Sequence, residues 1–230
     1  MNRAANLTGL TIHIPSQPNF PLSLNSTPWL TPVLEAKIKE DTGEDGLLHN
    51  GQLMSRLGHL NVLHGMLDAN ISTAIIMEND GDWGVEIKSQ TPAIASAIRN
   101  LTHANNTDTH AYPWGMNYDL LALGHCGAGR TSPFLVVNDS TALPPPLYSK
   151  LRDPGHDVPE HGRLVYETNG AVCTYAYAVT RKGAEKLIAN LEDRDGPWDL
   201  LVADQCNNNE DLWCGAVAPE VFHHQRWRVP

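Results

Sequence analysis

The stretch Ile71-Ser72-Thr73-Ala74-Ile75-Ile76-Met77-Glu78-Asn79-Asp80-Gly81-Asp82-Trp83 decides how this chain is read. Its first half is apolar and β-branched, with no charge before Glu78, the pattern of a strand buried on both faces. Glu78, Asp80 and Asp82 then crowd together around Asn79 and Gly81, so the strand ends in an acidic loop. In open α/β sheets ligands bind just past the carboxyl ends of strands, and carboxylate oxygens placed there suit a divalent cation. An acidic turn without chemistry is the plainer alternative.

Upstream, Leu53, Leu57, Leu60, Leu63 and Leu67 fall on one helical face, which predicts a helix over 51–70 leading directly into the strand. Thr31-Pro32 reads as an N-cap and first helical position for a short helix over 33–40 ending at Thr42-Gly43, with a loop over 47–50. Residues 1–27 read as an extended, loosely held opening segment, with a short strand over 10–14. Downstream, 85–101 predicts a helix interrupted near Pro92. Residues 118–123, 163–166, 172–179 and 216–222 read as strands, and 181–191 and 197–206 as helices. Residues 127–162, rich in proline, read as a long loop or lid. The alternation of strands and helices predicts a single α/β domain over 1–230, a three-layer sandwich with a mostly parallel central sheet and no internal repeat.

The 230 residues are 41% hydrophobic and 18% charged, as in a globular chain, and carry a formal net charge of -10. That charge argues against nucleic acid or an anionic membrane surface as the main partner, since both reward clustered Lys and Arg. An anionic substrate such as a nucleotide sugar would need a metal ion to bridge its diphosphate to the protein's carboxylates. No apolar run is long enough to span a bilayer or to serve as a signal peptide, so the chain as written reads as soluble, which leaves a cytoplasmic location open. Glycosylation acceptor sequences at Asn6, Asn25, Asn70, Asn100, Asn105 and Asn138 point instead to the secretory pathway or the Golgi lumen. Cys126, Cys173, Cys206 and Cys214 lack zinc-finger spacing and are either disulfides or buried thiols. The eleven histidines do not form a zinc hydrolase motif, because none has the His-Glu-x-x-His spacing.

Several segments occur in a telling order. They are Gly51 with His59-Leu60, then Ala74-Ile75-Ile76-Met77-Glu78-Asn79-Asp80, Asp82-Trp83 and Ile87-Lys88. Tyr118-Asp119-Leu120-Leu121-Ala122-Leu123-Gly124-His125-Cys126-Gly127 follows, then residues 177–187 and Trp198-Asp199-Leu200-Leu201 with Asp204. In this order they resemble glycosyltransferase family 25, which includes bacterial lipooligosaccharide galactosyltransferases and animal collagen galactosyltransferases, and they are most similar to its fungal branch. The resemblance implies a GT-A-like fold, a uridine diphosphate (UDP) sugar donor, a glycan or glycoprotein acceptor and a divalent cation, usually manganese (Mn2+). It places Glu78 and Asp80 at the metal, with His223 or His224 as a further ligand. It places His59, Asn79, Trp83 and Lys88 at the donor. For an inverting transfer it offers Asp204 or Asp199 as the base that takes the acceptor's proton. The residues by themselves leave other readings open: Trp83 and Trp114 as core, Lys88 and the two aspartates as solvated helix faces, and the histidine pair as exposed polar groups.

Three features depart from the family pattern. Asn79 stands where the family has a carboxylate, although an amide oxygen still ligates hard cations. Gly58 replaces the serine that usually precedes His59, and no counterpart of the family's opening Asn-Leu-Asp-Arg strand precedes Asn6. Two readings follow: a hexosyltransferase, or a catalytically degenerate member that binds a sugar or a protein through the same cleft.

Overall fold

Local capping chemistry sets where the helices begin. Thr31 accepts a hydrogen bond from the Leu34 amide at 3.1 Å, and Asn50 Oδ1 accepts from the Gln52 and Leu53 amides at 3.0 and 3.1 Å. Thr180 accepts from the Gly183 amide. Each satisfies donors that a helix start leaves unpaired. The structure, a computed structural model, describes residues 2–17, 27–42, 50–104, 109–142 and 158–224. In chain order its elements are α1 (Asn2–Thr8), α2 (Pro32–Asp41), α3 (Gly51–Asp68), β1 (Thr73–Met77), β2 (Gly81–Trp83), α4 (Ile87–Leu101), β3 (Leu120–Gly124) and β4 (Gly127–Asn138). β5 (Gly162–Val172), β6 (Ala176–Thr180), α5 (Arg181–Leu191), α6 (Trp198–Asn208), β7 (Cys214–Ala218) and β8 (Phe222–His224) complete them.

Six strands form one sheet in the order β1-β6-β3-β7-β5-β4, and β2 pairs with β8 separately. Helices cover both faces, which makes the predicted three layers. On one face α2, α3, α5 and α6 pack on Leu120, Tyr177 and Val179; on the other α1 and α4 pack on Leu121, Ala176 and Ala178. Successive strand residues point to opposite faces, so one strand feeds both cores.

The sheet is not mostly parallel, as the sequence had implied. Only β3 and β7 pair parallel, and the other four neighbouring pairs are antiparallel. β1 and β3 do run the same way, as a strand–helix–strand unit requires, but β6 inserts between them and opposes both. Alternating elements set a strand's direction without setting which later strand slides in beside it.

Four more expectations are corrected. β1 lies at the edge of the sheet and is not buried on both faces: Ile76 is buried while Ile75 is 41% exposed. The opening segment holds α1, not a strand, and Leu10 and Ile12 pack against the second core. The helix through Pro92 is continuous, with the proline on its exposed side. Most of the expected lid is β-structure, because the apolar run at 134–137 pairs with β5 in the register Leu135↔Val165 and Val136↔Leu164. Residues 143–157 of that stretch lie outside the described residues, as do Gly43 and the expected loop over 47–49.

Arg163, 1% exposed, ties these parts together. Its Nε donates to Asp139 Oδ2 at 2.6 Å, and its Nη1 donates to the carbonyls of Pro219 and Glu220 at 2.5 and 2.9 Å. The clamp joins the β4–β5 pair to the bend after β7. Burial pushes the Asp139 carboxyl up, but bonds from Thr141 and Arg163 outweigh it and hold it below its ordinary value. Arg163→Met leaves a shielded carboxylate and two carbonyls without a donor, and should cost about 3 to 5 kcal/mol of stability in urea denaturation. A loss under about 1 kcal/mol would show that the clamp is not a keystone.

Candidate functional site

β1, β3 and β7 run the same way, so their carboxyl ends meet along one edge of the sheet, where β6 begins. β8 returns to this edge by pairing with β2, in the register Gly81↔His224, Asp82↔His223 and Trp83↔Phe222. The acidic loop of the first half of the chain thereby meets the last described strand.

The loop turns tightly. The Glu78 amide donates to the Tyr175 carbonyl at 3.0 Å, and the Gly81 amide donates to the Glu78 carbonyl at 3.1 Å. A Cβ on Gly81 would lie 3.2 Å from both carbonyl oxygens, so this approach favours glycine. Glu78 Oε1 accepts from Thr174 Oγ1 at 2.6 Å and from His59 Nε2 at 3.3 Å. His59, 6% exposed, stacks on Trp198 at 5.1 Å between ring centroids, and its Nδ1 lies 3.1 Å from the Tyr177 hydroxyl. Burial pushes the Tyr177 phenol up, so it stays neutral and donates to Nδ1, which leaves the imidazole proton on Nε2 facing Glu78. Burial also pushes the Glu78 carboxyl up; the hydrogen bonds from His59 and Thr174 outweigh it and hold the group below its ordinary value.

Asp80 is the second anchor. Its Oδ2 lies 3.1 Å from His224 Nε2, and its Oδ1 is shielded from solvent with no hydrogen-bond partner among the described residues. The His224 ring rests 5.2 Å from that of Tyr175. His223, one residue earlier, points to the other side of β8, with Nδ1 3.5 Å from Glu220 Oε1. Beneath it lies His125, 2% exposed, which donates from Nε2 to the Val217 carbonyl at 3.0 Å. Burial pushes the His125 pKa down. Burial alone would raise the Glu220 carboxyl, but the nearby His223 and His125 imidazoles hold it low.

The structure thus gathers His59, Glu78, Asp80 and His224 and separates the other expected residues. Asn79 is exposed at the tip of the turn. His223 and His224 do not face one site, because neighbouring strand residues diverge. Trp83 is 6% exposed; it meets Phe222 edge-on at 5.9 Å and donates from Nε1 to Thr8, so it serves the core and presents no stacking face. Lys88 donates to the Gly9 carbonyl at 2.7 Å, tying α4 to the end of α1. Asp199 accepts from the Cys173 amide at 2.9 Å. Asp204 is exposed, accepts from Asn208 at 2.6 Å, and lines a groove of about 500 Å³ with Asn169, Val172, Leu200 and Asn207. Trp114 packs against the second core.

Thr174, Tyr175 and Tyr177 were not foreseen as site residues. Tyr175 and Tyr177 alternate within 172–179, a stretch whose pattern reads only as a strand, and nothing local pairs Thr174 with a glutamate 96 positions away. All four cysteines are bonded, as Cys126–Cys173 and Cys206–Cys214. Among the described residues no three or more His, Cys, Asp or Glu side chains are grouped as a metal cage. The donors fit a cation in part: Asp80 offers an unpartnered oxygen beside an imidazole, while Glu78 Oε1 already serves two donors. Compared with known proteins, the chain matches no family model, and no curated protein is significantly similar to it.

The pH dependence of stability follows from the depressed groups. Each contributes stability above its unfolded pKa, and that contribution is lost as pH falls toward its folded value. His125 should therefore begin to destabilise the fold below about pH 6.5, and Glu78, Glu220 and Asp139 below about pH 4. Melting temperatures measured from pH 8 to 3 should show both declines, and His125→Asn should lack the first. The same first decline in that variant would assign it to another group.

Proposed function

We propose that this chain is a metal-dependent glycosyltransferase that moves a hexose, galactose by the family resemblance, from a UDP-sugar to a glycan or glycoprotein acceptor. The observation that carries this reading is the meeting of Asp80, with its unpartnered shielded oxygen, and His224 at the carboxyl edge of the sheet. Asp80 and His224 would hold manganese, and the exposed Asn79 amide is a further oxygen donor within the turn. The cation would neutralise charge gathering on the departing diphosphate, a need sharpened by a net charge of -10.

The neighbours have separate tasks. His59 and Thr174 keep Glu78 ionised, and Tyr177 fixes the imidazole's tautomer. Of the two aspartates read as proton acceptors, Asp204 opens on a groove while Asp199 is engaged with a backbone amide. Asn6, Asn70, Asn100 and Asn138 are all exposed, as glycosylation requires, and two disulfides fit folding in an oxidising compartment, in keeping with a secretory or Golgi location. No helix of the described residues is long and apolar enough to cross a membrane.

The second reading, a degenerate member that binds sugar or protein, is favoured by the neutral Asn79 and by the lack of a three-residue cage among the described residues. Calorimetry with UDP, with and without manganese, separates the two. A transferase should bind UDP at least tenfold tighter with manganese, losing that gain in Asp80→Ala and most of it in His224→Ala, about 1.4 kcal/mol per factor of ten. Asn79→Asp should tighten the metal-dependent step. No UDP binding in either condition, with the fold intact by circular dichroism, would favour the binding module.

A further inference from the structure

The turn over 173–175 touches Glu78 and His224, and a disulfide closes it. Thr174 donates to Glu78, the Tyr175 carbonyl receives the Glu78 amide, and the Tyr175 ring supports His224. Cys173, at the head of the turn, has a left-handed backbone with φ of 63°, which a side chain other than glycine seldom adopts. Three restraints hold it there: its bond to Cys126, its amide's bond to Asp199 at 2.9 Å, and the Cys126 amide's bond to the preceding Val172 carbonyl at 2.8 Å. A strained residue persists where its surroundings over-determine it.

We propose that the Cys126–Cys173 disulfide is a redox latch on the Glu78 site, with Asp199 as its positioning residue. A dithiol reductant attacks the half-buried Cys173 sulfur and displaces Cys126 as a thiolate that takes up a proton. The reductant's second thiol then releases Cys173 as a thiol. Two electrons pass to the protein, and the reductant leaves as its own disulfide. Freed from the crosslink, Cys173 relaxes toward the ordinary backbone region and carries Thr174 away from Glu78. Cys206–Cys214 has no such reach. It links the end of α6 to β7 across a sequence separation of 8, and Cys214 is buried among core residues.

The test needs no ligand, so its outcome is independent of the transferase reading. Amide hydrogen exchange of the full chain is followed by nitrogen-15 NMR before and after dithiothreitol, and thiol trapping with mass spectrometry reports which pair opens. The Glu78 amide, which donates to the Tyr175 carbonyl, should exchange about tenfold faster on reduction, and reoxidation should restore its protection. An unchanged rate with Cys126 and Cys173 trapped as thiols would overturn the latch. Should reduction unfold the chain, the oxidised variants decide: Asp199→Ala should speed exchange of the Glu78 amide, and Asp199→Asn, which keeps an oxygen acceptor, should restore its protection. A rate unmoved by Asp199→Ala would equally overturn the proposal.

Discussion

A buried guanidinium holds this molecule's geometry together. Arg163 is almost fully enclosed, and such a charge is tolerated only where its N–H groups find acceptors. It finds a carboxylate beyond β4 and two carbonyls in the bend after β7. The bend cannot move without stranding the charge, and from it β8 returns to pair with β2. His224 reaches Asp80 only because that return path is set.

The antiparallel insertion of β6 has a functional consequence. It sets the turn over 173–175 beside the acidic loop, so Glu78 is held by groups from that turn, late in the chain, and by a helix that precedes its own strand. A carboxylate that accepts two hydrogen bonds in a half-buried place stays ionised and fixed in orientation. Asp80, one turn away, keeps a shielded oxygen without a partner. One anchored and one available carboxylate is a division of labour that the bare spacing of acidic residues does not convey.

Much of the fold was legible in local chemistry. The leucines of α3, the Thr31-Pro32 cap and α5 (Arg181–Leu191) appear where period and capping place them. The acidic end of β1 was legible for the same reason, since a charge-free run breaking into Glu78 and Asp80 is a local pattern. Long-range pairing misled the reading of the sheet and of residues 127–162: proline-rich composition suggested a lid, while register with β5 made most of it strand. Trp83, read as a donor platform, is a core residue because β8 covers it with Phe222. Asp199, read as a base, faces a backbone amide because Cys173 is held left-handed in front of it.

The sequence by itself determined α2, α3, α5 and α6, the acidic loop at the end of β1 and the charge that makes a bridging cation a reasonable need, because each depends on neighbours within a few residues. Only the tertiary structure decided that the sheet is mixed, that His224 and not His223 meets Asp80, that Thr174 and His59 share Glu78, and that the cysteines pair as they do. Those outcomes depend on which distant strands lie side by side and on which face each residue then points to, and a shift of one residue in register reverses the second.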